Sequence, residues 1–135
     1  WEVPAGLLDG GPEETLVGAA KRELAEETDL QASQWDVLVD FGTSPGATDE
    51  VLRIFLARGI SAAASSDFVR EGEEAEILLD WVDLTEAADA VLAGRVHSPS
   101  AVMGILAAER AARDGFTALR GVDAPFILRP WLLPA

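Results

Sequence analysis

No cysteine occurs among the 135 residues, which excludes disulfides, thiolate metal sites and thiol nucleophiles together and agrees with a reducing cytoplasm. Basic residues are scarce: ten Lys and Arg stand against 24 Asp and Glu, for a formal net charge of −14. A surface that acidic repels phosphate polymers and argues against a nucleic-acid-binding module. It would equally repel a small phosphorylated substrate, unless bound cations or local arginines reverse the sign at the site. Long apolar runs are also missing, and no stretch approaches the ~20 residues needed to span a bilayer, so no membrane partner is expected. Histidine occurs once, as His97 before Ser98-Pro99, and a lone loop histidine is assigned no role. The first residues lack the basic region, apolar run and cleavage site of a secretion signal. Trp1-Glu2-Val3-Pro4 also lacks an initiator methionine, so the chain is expected to be part of a longer polypeptide.

What is present suits one domain with a real core, since 49% of the residues are apolar. Residues 1–12 read as a short strand end followed by a Gly/Pro-rich loop. Pro12 stands where the first residue of a helix tolerates proline, and a helix is expected from Glu14 toward Leu30, ending near Thr28-Asp29. Leu16, Ala20 and Leu24 would face its core. Residues 37–41 read as a strand, 43–49 as a loop around Ser44-Pro45-Gly46, 51–58 as a second strand and 77–82 as a third. The acidic stretch 61–76 between the last two is expected to be an exposed loop. Asp83 or Thr85 can cap a helix to Ala93 with Gly94 as its stop, and Ser98-Pro99 opens a last helix to Gly115 with Val102, Ile105, Leu106 and Ala112 on its apolar side. The order of elements is a mixed α/β arrangement.

The informative run is Arg22-Glu23-Leu24-Ala25-Glu26-Glu27. On a helix these three glutamates, spaced i, i+3 and i+4, converge on one side, where like charges cost about 0.2–0.5 kcal/mol per pair. A hard dication such as Mg²⁺ or Mn²⁺ reverses that sign, because it prefers carboxylate oxygens and binds together with substrate phosphates. Taken alone, such a cluster is more often a solvated acidic face. Its neighbours change that reading.

Glu14, seven intervening residues, Arg22-Glu23-Leu24, one further residue, Glu26-Glu27 and then Leu30 resemble the signature box of the Nudix hydrolases. With Pro4-Ala5-Gly6-Leu7-Leu8-Asp9 before it, the match covers residues 1–30. Pro45 and the strand after it are similar to the ADP-ribose pyrophosphatases of that superfamily. Two departures stand out. Asp29 occupies the position of the box's closing glycine, and Asp tolerates a left-handed stop better than most residues. Gly6 lies eight residues before Glu14 rather than six, which lengthens a Gly/Pro loop and leaves the helix register intact.

The resemblance implies an α/β mixed-sheet sandwich whose N-terminal strands are not in this chain, with a hydrolase domain at 1–115 and a tail at 116–135 packed on the domain or on a partner subunit. It implies Glu23, Glu26, Glu27 and the Ala5 carbonyl as ligands of Mg²⁺ or Mn²⁺, Arg22 as the residue that holds the glutamates, and Glu14 as a helper near the helix start. Gly6 and Arg53 are the candidate substrate contacts, although Arg53 can equally pair with a nearby acid. A general base is expected from 70–76, with Glu73 the best match and Glu74 second. Trp1 and Trp35 can either stack on a base or pack in the core.

The reaction implied is hydrolysis of a pyrophosphate bond in a small nucleotide-sugar-type substrate, ADP-ribose foremost, by a cytoplasmic homodimer. Another Nudix substrate, or a non-catalytic module that binds a nucleotide or partner, is the competing reading. The chain taken alone is expected to be unstable or inactive on ADP-ribose.

Overall fold

The computed structural model of the chain describes residues 1–64 and 77–128. Five elements follow in order: α1 (Leu16–Thr28), β1 (Leu30–Gly42), β2 (Val51–Ala62), α2 (Leu84–Leu92) and α3 (Pro99–Arg113). Helices and a small antiparallel sheet make this a mixed α/β chain, as its sequence suggests. No helix among the described residues is long and apolar enough to cross a membrane. The chain divides into two compact units. One consists of Pro4–Trp35 and Ala57–Trp81, the other of Trp1–Val3, Asp36–Leu56 and Val82–Ala135.

In the first unit, α1 starts later than expected. Its N-cap is Thr15, whose side chain accepts the Gly18 N–H at 3.0 Å, while Pro12 and Glu14 stay outside the helix. Such a cap contributes about 1 kcal/mol. Glu14 is instead drawn back onto the preceding loop, where its carboxylate accepts the Gly10 N–H at 2.9 Å. The helix stops where the sequence suggests. Asp29 takes the left-handed conformation (φ 56°, ψ 28°) and its N–H donates to Ala25 O at 3.0 Å. An Asp therefore performs a turn usually given to glycine. Ala19 and Thr28 are the buried residues of α1, and Leu16, Ala20 and Leu24 are half-buried.

Both strands outrun their sequence signals, β1 beginning at Leu30 and β2 continuing to Ala62. Gln31 reaches Ser61 across the pair and Asp40 reaches Arg53, so rising numbers meet falling ones and the strands are antiparallel. Polar residues such as Gln31, Ser33 and Gln34 hide the first half of β1 from a pattern search; cross-strand pairing overrides their weak local preference. The connection is the expected loop, closed by Ala47 N–H to Ser44 O at 2.8 Å.

Two strands read from the sequence are not found. Residues 1–12 contain none, and 77–82 join no ladder among the described residues. Leu78 is 94% exposed and Trp81 69%. Apolar, β-branched composition marks a segment suited to pairing, but a strand exists only where a second backbone lies beside it.

The second unit is built on a seam of small side chains. Asp83 caps α2 by accepting N–H bonds from Thr85 and Glu86 at 2.8 and 3.3 Å, and Gly94 closes it at φ 70°. Pro99 begins α3, which ends at Arg113 with Gly115 two residues on. Ala87, Ala88 and Ala90 of α2 and Ala101, Gly104 and Ala108 of α3 are the buried positions. Of the expected apolar side of α3, Val102 and Ile105 pack on the core while half-buried, as Leu106 and Ala112 are, and the fully buried positions are the small residues. Ala90, Val96 and Ala101 form the core, with Val3, Val91, Val102 and Ile105 packed around it. Val37 of β1 is fully buried, and its N–H donates to Arg120 O at 2.8 Å.

Candidate active site

The expected metal-binding helix gathers its acids around one cation, Arg22. Its Nε donates to Glu14 Oε1 at 2.9 Å; its Nη1 donates to Glu23 Oε1 at 2.6 Å and Glu26 Oε2 at 3.1 Å. Its Nη2 faces the preceding loop, with Leu7 O at 3.0 Å, Asp9 Oδ1 at 2.9 Å and Glu14 Oε2 at 3.3 Å. One guanidinium therefore meets four carboxylates, Asp9, Glu14, Glu23 and Glu26. The hydrogen bond to Glu14, backed by those to Glu23 and Glu26, drives the Arg22 pKa upward against the cost of its burial. In return, the bonds from Arg22 and the Gly10 N–H hold the Glu14 carboxyl below its ordinary value.

The loop of residues 4–11 lies directly against this helix. The Ala5 N–H donates to Glu27 Oε2 at 3.2 Å. At Gly6 and Gly10 the backbone passes so close to α1 and its N-terminal approach that a Cβ would fall on the Glu23 carboxylate in one case and on the Glu14 carboxylate in the other. A side chain at either position would push the glutamate carboxylate, the far end of a flexible side chain, out of its place beside the loop. Arg22, Glu14, Glu23, Glu26, Glu27, Ala5 and Gly6 thus lie in one neighbourhood of the helix and its preceding loop. Among the described residues, however, no three acidic or histidine side chains are grouped as a ready-made metal cage. Glu23 and Glu26 turn to Arg22, and Glu27 turns to the loop N–H.

Glu73 and Glu74 fall outside the described residues. Arg53, a candidate substrate contact that can equally pair with an acid, makes its bonds within the second unit. It binds Asp40 through Nε at 2.8 Å and Nη2 at 2.9 Å, then Ala124 O at 2.7 Å and Pro125 O at 3.0 Å. Four of its five N–H donors are used. Its side chain is 2% exposed and lies 4.6 Å from the centre of the Phe126 ring. Pairing with an acid, the other option for a mid-strand arginine, is what the fold selects. Arg120 adds a second cation to Asp40 at 2.9 Å. Burial works against the charge on Asp40, but the bonds from Arg53 and Arg120 outweigh it and hold the carboxyl below its usual value.

Trp1 does not pack in the core. It is 59% exposed and lines an open groove of about 460 Å³ with Val82, Glu86, Asp89 and Arg95. Trp35 is half-buried, its Nε1–H donating to Ala32 O at 3.2 Å. His97 Nε2 lies 2.8 Å from Gly94 O, at the end of α2, and has no place in the acidic cluster. Asp9 was missed as a member of that cluster, since its partner is thirteen residues away across a loop and no helical spacing announces the contact.

The sequence profile of the NUDIX domain family matches residues 1–101. The chain is 43% identical, over 130 residues, to an ADP-ribose pyrophosphatase of Mycobacterium tuberculosis, covering 96% of this chain and 61% of that protein. It is 38% identical over 77 residues to an ADP-ribose pyrophosphatase of Bacillus subtilis, covering 57% of this chain and 40% of that protein. Similarity extends to the methanol dehydrogenase activator of Bacillus methanolicus, 32% identical over 106 residues, covering 77% of this chain and 54% of that protein. The chain therefore spans between 40% and 61% of the length of these relatives.

Proposed function

The chain belongs to the NUDIX domain family, and from that premise we propose that it is the catalytic part of a divalent-metal-dependent hydrolase that splits ADP-ribose into AMP and ribose 5-phosphate. The observation that carries the reading is the excess of carboxylates around Arg22. One positive charge faces four negative ones, with Glu27 of α1 as a further acid, and that surplus suits a hard cation. The donor set is all oxygen, which fits Mg²⁺ or Mn²⁺, and the close approach of Gly6 to Glu23 and of Ala5 to Glu27 puts loop backbone within reach of the same place. Two relatives named as ADP-ribose pyrophosphatases support the choice of substrate.

On this reading Glu23, Glu26 and Glu27, with the Ala5 carbonyl, hold the metal. Bound there, Mg²⁺ or Mn²⁺ would neutralise the pyrophosphate and lower the pKa of the attacking water. Arg22 keeps Glu23 and Glu26 in place, and Glu14 keeps Arg22 charged and fixed. The Gly6 backbone borders the substrate. Glu73, or Glu74 beside it, takes the proton of the water as a new P–O bond forms and the bridging P–O bond breaks, with AMP and ribose 5-phosphate leaving. A hydrolase domain at 1–115, a tail at 116–135, a homodimer and a cytoplasmic location belong to the same reading. They rest on the family resemblance and the cysteine-free composition.

The test is a panel of nucleoside diphosphate derivatives incubated with Mg²⁺ and the full-length protein, as wild type and as Glu27→Gln, with products identified. AMP and ribose 5-phosphate from the wild type alone support the proposal; equal rates in both sink it. A second reading, a Nudix-like module acting on a partner protein, draws on the likeness to the methanol dehydrogenase activator. It is favoured if a panel member binds but none is cleaved.

A further inference from the structure

We propose that Asp9 is a positioning residue of the acidic site: by holding one edge of the Arg22 guanidinium, it sets how firmly the other edge grips Glu23 and Glu26. The inference rests on the reading of that site as a cation-dependent hydrolase. It goes beyond it by giving a role to a residue that the sequence reading left without one.

A guanidinium is planar and rigid, so anchoring one edge fixes the other. The Nη1 edge of Arg22 addresses Glu23 and Glu26 at 2.6 and 3.1 Å. The Nη2 edge addresses the loop, and its two hydrogens are shared among three acceptors, of which Asp9 is the nearest at 2.9 Å. Glu14 is already satisfied by the Arg22 Nε and the Gly10 N–H. Asp9 is therefore the one charged group whose main bond in the cluster is to that edge.

Its exposure separates it from the others. The Asp9 side chain is 69% exposed, against 10% for Glu14, 15% for Glu23 and 24% for Glu26. Substituting Asp9 strands no buried charge, so the change acts on the geometry of Arg22 rather than on folding. Asp9 also ties down the loop that presents Ala5 to Glu27 and Gly6 to Glu23. Without its carboxylate, Arg22 keeps Leu7 O and Glu14 on that side and is freer to follow Glu23 and Glu26. The guanidinium then competes better with a divalent cation for those two carboxylates. Cation affinity falls.

The test is a titration of Mn²⁺ into the full-length protein, reading free Mn²⁺ by electron paramagnetic resonance, on wild type, Asp9→Asn, Asp9→Ser and Asp9→Glu. Asn and Ser are expected to weaken Mn²⁺ binding about tenfold, the scale of residues that orient metal ligands. Glu, which restores the charge, is expected to recover most of the loss, and thermal midpoints should stay close to that of the wild type. A merely structural Asp9 would move the midpoint and leave affinity alone. Wild-type affinity in both Asn and Ser overturns the inference while the hydrolase reading stands, and so does a Glu variant as weak as Asn. A wild type that binds no Mn²⁺ defeats the cation reading and this inference with it.

Discussion

Two charged clusters among the described residues are built in opposite proportions. Around Arg22 one guanidinium serves four carboxylates, whereas around Asp40 one carboxylate serves two guanidinia, Arg53 and Arg120. The first retains surplus negative charge, and one of its members is largely exposed. The second carries surplus positive charge, is anchored by a nearly buried arginine, and spends its remaining donors on the Ala124 and Pro125 carbonyls. Both look alike as lists of ion pairs. The difference lies in which charge is in excess and in what the leftover hydrogen bonds hold. A cluster with acids to spare is suited to recruit a cation, and one whose donors are consumed by backbone is suited to fasten a segment.

The sharpest way to break the comparison is Glu27→Gln. Turnover is expected to fall by about two to four orders of magnitude, measured as product release at saturating Mg²⁺, with the folded state retained by circular dichroism. The same loss on replacing an acid at the other cluster would erase the distinction. Next in size is Arg53→Met. It leaves the half-buried Asp40 with only the exposed Arg120, and is expected to lower stability by about 3 kcal/mol in urea unfolding. A change under 0.5 kcal/mol would mean that Arg53 is not the fastening we describe.

The third prediction concerns acid. Asp40 titrates below its unfolded value, so its contribution is fully present above the usual aspartate pKa, about 4. That contribution is lost as pH falls through the lower, folded value. Urea midpoints followed from pH 6 down to pH 2 should drop less steeply below about pH 4 in Asp40→Asn than in wild type, from a lower starting level. Equal slopes would show that the carboxylate does not serve as the lock. The tenfold change in Mn²⁺ affinity at Asp9 sharpens the comparison from the acidic side.

How much of this was legible beforehand depends on distance along the chain. The three glutamates lie within one helix and regular spacing placed them on one side, while Arg22 and Glu14 were read from the resemblance of the whole run to a known box. Asp29 as a left-handed stop, Asp83 as a cap and the turn at Ser44-Pro45-Gly46 were readable for the same reason, each being decided by a few adjacent residues. Asp9 with Arg22, and Arg53 with Asp40, Arg120 and Phe126, were not. These pairs are fixed by how loops and strands return upon one another, and a single sequence carries no mark of that. The start of α1 was misjudged because Pro12 suits a first helical turn, while the competing pull of Gly10 on Glu14 is a loop contact. The residues at 77–82 carry the composition of a strand, but pairing also requires a neighbour.

The seam between α2 and α3 has a consequence for the lineage of this protein. Its buried positions are alanines and a glycine, so nearly every substitution there adds bulk. At Gly104 one step is open: a methyl group would meet Ile54 at 3.5 Å, an ordinary contact, inside a helix where alanine is favoured over glycine by about 1 kcal/mol. The chain thus keeps evolutionary headroom in a place remote in sequence from α1. A descendant obliged to accept a costly change among the acidic residues has one cheap compensation ready.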